Sequence, residues 1–252
     1  MTLKFSEKAH RYWLDGKPIT GVTTLLSKGL PKEALPKWAA KVVAEYVADN
    51  EDGVAQLRLM GREPLVSALK GVPWETRDQA AIRGTEVHAL AERVVHGDAV
   101  EVPPHLEGHV RGYVDWLDTF DAQPVLTECS VANATLWYAG RFDLVADILG
   151  TRWLLDVKTS RDIYGETALQ TDAYRNAEFY VTDDDPDTHL PMPEGIERIG
   201  ALHVTDIGTT LYPFDSSGEP FRIFKHVAFV AKSRDAIDKF KHDAIYSPLE
   251  AA

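Results

Sequence analysis

GRFDLVADILGTRWLLDVKTS, from Gly140 to Ser160, reads as two strands joined by a turn. Period-two alternation puts Trp153, Leu155 and Val157 on one face and Leu154, Asp156 and Lys158 on the other. In the partner strand Phe142, Leu144, Ala146 and Ile148 are expected to pack inward, with Arg141, Asp143, Val145 and Asp147 opposite. A tight turn at Leu149-Gly150 sets Asp143 directly across from Asp156, and a one-residue slip of the turn moves it onto a diagonal. Either register brings the carboxylates together. Opposed carboxylates repel, so a chain that keeps them needs a compensating cation, either Lys158 or a bound divalent metal. Hard oxygen ligands suit Mg²⁺ or Mn²⁺, with substrate phosphate completing the shell. A lysine beside such an ion orients or deprotonates the attacking water, which is the composition of a phosphodiester hydrolysis site. Alone, an acid-x-lysine triplet is more often a surface ion pair; the surrounding segments give it weight.

Upstream, HRYWLDGKPIT reads as a hairpin turning at Asp15-Gly16. Leu35 to Val47 is helical in spacing, through Trp38, Val42, Val43 and Tyr46. Between Asp49 and Trp74, glycines and prolines predict short helices and loops. RGTEVHALAERVVHG predicts a helix N-capped by Thr85, striped by Val87, Leu90, Ala91, Val94 and Val95, and stopped by Gly97. His88 borders that stripe. A further helix spans about His105 to Phe120, followed by strands near Val125 to Val131 and Thr135 to Tyr138. Downstream of the central hairpin, GETALQTDAYRNAEFYV returns to helical spacing, with Gln170 and Tyr174 one turn apart. VTDDDPDTHLPMPEG is a loop, Ile199 to Val204 and Thr209 to Phe214 are a strand pair, and Phe221 to Phe240 is a closing helix.

A chain of 252 residues, 44% hydrophobic and 10% aromatic, can bury a full core as one domain with insertions or a small cap. The lone Cys129 excludes a disulfide framework, a four-cysteine zinc site and an iron–sulfur cluster held within this chain, and fits a reducing compartment. No apolar run reaches bilayer length and the start lacks a signal core, so a soluble, cytoplasmic protein without membrane contact is expected. With 39 acidic and 27 basic residues the formal net charge is -12, so any DNA partner must be held at a local site, where a metal supplies positive charge.

Taken together, the His88 helix, Glu128, GRFD, LLDVKTS and the Q-x-x-x-Y spacing of Gln170 and Tyr174 resemble the PD-(D/E)XK nuclease superfamily, and most closely its RecB-like branch, over about Gly84 to Tyr180. HRYWLDGKPITGVTTLL also resembles the start of phage and mitochondrial members. The resemblance implies an α/β fold: a central mixed sheet flanked by helices, with a restriction-endonuclease-like core at 84–252 and, at 1–83, a hairpin and helical region forming part of a DNA-binding wall. It implies that His88, Asp143, Asp156 and the Val157 backbone carbonyl ligate Mg²⁺ or Mn²⁺, with Glu128 a supporting acid or a ligand of a second metal. Lys158 takes the role of activating water and stabilising charge on phosphate. Gln170 and Tyr174 lie beside the site and contact DNA or the lysine; Arg141 and Arg161 are candidate phosphate contacts. The implied function is a DNA exonuclease of recombination, repair or phage DNA metabolism, acting on single- or double-stranded ends with a recombinase or helicase as a possible partner. A structure-selective or nicking endonuclease and a non-catalytic recombination accessory protein are the alternatives. No G-x-x-x-x-G-K loop occurs, so unwinding by ATP hydrolysis is not expected of this chain.

Overall fold

The computed structural model describes residues 2–242 except 7, 8, 10, 96 and 98; the C-terminal end of the expected 84–252 unit, and His10 and His96, lie outside the described residues. In chain order the elements are β1 (Leu3–Ser6), β2 (Arg11–Leu14), β3 (Lys17–Gly21), α1 (Val22–Gly29), α2 (Ala34–Asp49), α3 (Glu51–Leu59) and α4 (Arg62–Val95). There follow α5 (Glu107–Thr119), β4 (Gln123–Asn133), β5 (Tyr138–Ile148), β6 (Thr151–Lys158), α6 (Glu166–Arg175), β7 (Phe179–Val181) and β8 (Leu190–Pro191). β9 (Ile196–Thr205), β10 (Gly208–Pro213) and α7 (Glu219–Ile237) close the fold.

The fold is α/β, a curled mixed sheet flanked by helices. β5 is its hub: it pairs antiparallel with β4 and β6 and, at Tyr138 and Ala139, parallel with β3, through which the N-terminal strands join. β6 pairs parallel with β9, which turns back into β10. Of the two registers left open by the sequence, the β5–β6 turn takes the tight one. Ile148 pairs with Thr151, and Leu149 and Gly150 both adopt positive φ, 50° and 79°, the geometry of a two-residue turn that matches strand twist.

Helices cover both faces, so the central strands are buried on both sides. On one face α1, α6 and α7 bring Leu25, Ala173, Phe224 and Val227 against Cys129, Val131, Phe142 and Val145. On the other, Val87 and Ala91 of α4 and Tyr113 and Trp116 of α5 pack on Leu144, Leu155, Val157 and Leu202. The burial spacing of α7, with Phe224, Val227, Ala228 and Ala231 inward, is that of a one-sided helix. Among the described residues no helix is long and apolar enough to cross a membrane.

Several local expectations are corrected. Thr85 is not an N-cap: α4 starts at Arg62 and runs through it, and the Thr85 hydroxyl donates to the Ala81 carbonyl one turn back. Pro73, taken as a breaker, lies inside the same helix, where it is buried with Val72. Thr135–Trp137 is a turn and not a strand: Asn133 Oδ1 accepts the Leu136 N–H at 2.7 Å, Trp137 has φ 56°, and β5 begins at Tyr138. The helix expected through Val181 ends at Arg175, and Phe179–Val181 pairs with β4 instead. Nor do Phe142 and Leu144 share a face, since they belong to the clusters on opposite sides of the sheet.

Candidate metal centre

That reversal of faces builds the site. Thr127 pairs with Leu144 and Cys129 with Phe142, and the rung between them carries Glu128, a non-glycine residue at φ 48°. On β4, Leu126 packs with Cys129 and Val131 although their parity differs, so β4 breaks alternation at the rung where β5 does. On the other edge of β5, pairing with β6 stops at Leu144 and Leu155, and the strands part beyond it. Asp143 stands at the parting. Its Oδ2 accepts the Val157 N–H at 2.6 Å, a side chain taking a backbone donor of β6.

His88 arrives from α4, whose buried neighbour Val87 fixes the helix on the sheet. Its Nδ1 lies 3.5 Å from Asp143 Oδ1 and 3.6 Å from Glu128 Oε1. One donor atom each from His88, Glu128 and Asp143 falls within 4.8 Å of the others. Burial opposes charge on His88, but Asp143 and Glu128 outweigh it and raise its pKa from 6.5 to about 11. Burial likewise opposes ionisation of Asp143, yet His88, Lys158 and the Val157 N–H hold it below its ordinary value. An open cleft of about 460 Å³, lined by Ala81, Gly84, Thr85, Glu128 and Arg141 among others, gives access to His88.

Asp156 and Lys158 form the second half. Asp156 is buried; its Oδ1 accepts from Gln170 Nε2 at 2.8 Å and its Oδ2 is ion-paired with Lys158. Burial pushes its carboxyl up, as does Asp143, while Lys158 opposes the rise. Burial opposes charge on Lys158 in turn, and Asp156 and Asp143 nevertheless hold its pKa above the ordinary value. Asp156 is not among the three converging donors, which are His88, Glu128 and Asp143.

Gln170 Nε2 also reaches the Tyr174 hydroxyl at 3.1 Å, so the pair braces Asp156 from α6. Tyr174 is 2% exposed, and its hydroxyl is turned to Gln170 inside the protein. Gly140 makes room for its ring: a Cβ there would come within 2.3 Å of Tyr174 Cε1. Arg141, a candidate phosphate contact, is engaged by protein: Nε donates to Glu128 Oε2 at 2.7 Å, and Nη1 and Nη2 donate to the two Asp183 oxygens at 3.0 and 2.9 Å. Arg161 is exposed on the loop after β6. Sequence reasoning missed Asp183, whose aspartate-rich loop carried no signal of a partner 42 residues away in the chain.

No known family pattern matches the chain, and no curated protein matches it. Among solved structures it is similar to SSO0001, at 13% identity over 86% of this chain and 74% of that one, with a TM-score of 0.31, too low to assign a fold or a function.

Proposed function

We propose that the chain is a metal-dependent DNA exonuclease with a restriction-endonuclease-like, PD-(D/E)XK core of the RecB-like kind. The observation that carries this reading is the pairing of two constellations where β5 and β6 part: the His88, Glu128 and Asp143 donors, and the Asp156–Lys158 ion pair. The donor set, one imidazole and two carboxylates, fits a hard divalent ion that keeps waters in its shell. Mg²⁺ or Mn²⁺, when bound, supplies Lewis acidity to a phosphate oxygen and to water.

The chain's own residues do the rest. His88, Glu128 and Asp143 would hold the ion, and in this reading Asp156 and the Val157 carbonyl would complete the set. Lys158 keeps its ammonium charged between the two aspartates, where it orients water and stabilises negative charge developing on phosphate. Gln170 holds Asp156 Oδ1, which leaves Oδ2 facing Lys158.

The test is digestion of linear single-stranded, linear double-stranded and closed-circular DNA, labelled at each end, with Mg²⁺, Mn²⁺ or EDTA. Metal-dependent loss of linear DNA alone is expected, and Lys158→Ala and Asp156→Ala should each lose about 100-fold or more in rate with the fold intact. Cleavage retained by a folded Asp156→Ala protein would sink the assignment. Cutting of closed circles would turn the reading to an endonuclease, and DNA binding without cleavage to the accessory protein.

A further inference from the structure

An arginine reading phosphate should present its fork to solvent, and Arg141 does not. All three of its nitrogens donate to carboxylates: Nε to Glu128, Nη1 and Nη2 to Asp183. Glu128 needs such a partner. Its backbone sits at φ 48° where the ladder is interrupted, so the strand alone does not dictate where its side chain points. Its two oxygens are divided: Oε2 takes the Arg141 Nε–H at 2.7 Å, and Oε1 faces His88 Nδ1 at 3.6 Å.

We infer that Arg141 is a positioning residue that fixes Glu128 with one oxygen turned to the metal donors, and that Asp183 in turn fixes Arg141. The inference rests on the metal reading of the site. Held this way, Glu128 enters a metal shell with little left to order, and groups that orient ligands in this manner are worth about 10- to 100-fold in metal affinity.

The sign of one substitution separates this role from bulk electrostatics. Arg141 is a cation beside a cation site, so by charge alone Arg141→Gln should tighten metal binding. If Arg141 positions Glu128, the same substitution weakens it.

The experiment is calorimetric titration of Mn²⁺ into the full chain, with the Mn²⁺ resonance spectrum as a second readout. Arg141→Gln and the charge-keeping Arg141→Lys should each weaken Mn²⁺ binding about tenfold and alter the spectrum as Glu128→Gln does. In the Glu128→Gln background, Arg141→Gln should change affinity less than about twofold, because its effect passes through Glu128. Should circular dichroism show that Arg141→Gln does not fold, Asp183→Asn serves, since that side chain is largely exposed. Its loss of affinity should vanish in the Glu128→Gln background, whereas a pure charge effect would persist. Unchanged or tighter Mn²⁺ binding by Arg141→Gln, or an equal loss with Glu128 already removed, overturns the inference. Unchanged Mn²⁺ binding with weakened DNA binding does so in favour of a phosphate contact. A wild-type chain with no saturable Mn²⁺ binding removes the metal reading itself and this inference with it.

Discussion

His88 is a cation in the metal-free protein, because Asp143 and Glu128 overcome its burial and raise its pKa from 6.5 to about 11. An imidazolium has no lone pair to give, so a metal must displace a proton. Titration of Mn²⁺ at pH 7.5, in buffers of differing ionisation heat, should reveal about one proton released per ion, with affinity rising about tenfold per pH unit toward the raised pKa. Binding without proton release would show that His88 stays outside the shell. The same raised pKa stabilises the metal-free fold, fully below 6.5 and less and less as pH climbs toward about 11. At this scale the meeting of Asp143, Asp156 and Lys158 was legible from strand alternation, whereas His88 and Gln170 were marked only by the resemblance of their segments. The engagement of Arg141 with Glu128 and Asp183 was not, because it depends on a backbone angle at Glu128 that no residue type announces.

Among the elements, α6 shows how one helix serves both site and scaffold. Gln170 and Tyr174 brace the Asp156 side, while the buried Asp172 faces α7 and accepts the Phe221 N–H at 2.9 Å and the Arg175 Nε–H at 2.8 Å. Phe221 lies in the first turn of α7, where backbone donors lack helical partners, so Asp172 caps one helix from another. Asp172→Ala leaves Arg175, 14% exposed at its side chain, without its carboxylate partner and with only the Ser216 carbonyl of the two, and should cost about 3 kcal/mol in urea unfolding. A change below about 1 kcal/mol would mean water replaces the carboxylate. The element pattern was readable where burial is one-sided, as in α7. It misled in α4, where Thr85 and Pro73 resembled boundaries but packing carried the helix through both.

Across the whole molecule, the N-terminal strands belong to the main sheet. β3 pairs with β5, and Val22, Leu25 and Leu26 of α1 enter the cluster that also holds Phe142 and Phe224. Burying three such side chains contributes about 6 kcal/mol, comparable with the whole stability of a typical domain, about 5–15 kcal/mol. A chain lacking residues 1–30 should therefore fail to give a cooperative thermal transition by circular dichroism. A sharp transition in that truncated chain would make the region an appendage. The formal net charge of -12 is a property of the whole, so in the proposed reading a polyanion would have to be met locally, at the cleft beside His88.

By itself the sequence determined that Asp143, Asp156 and Lys158 gather at one hairpin, because alternation and charge are written residue by residue, whereas the α/β class and the candidate histidine followed from the resemblance. Tertiary structure alone decided which side chains meet. The interrupted rung at Glu128 and Asp143 reverses the faces of β4 and β5, and the parting of β5 from β6 opens a gap that Asp143 bridges to Val157. Such breaks arise from the competition of packing on both sides of one sheet, and a periodic reading of a single strand assumes that no such break occurs.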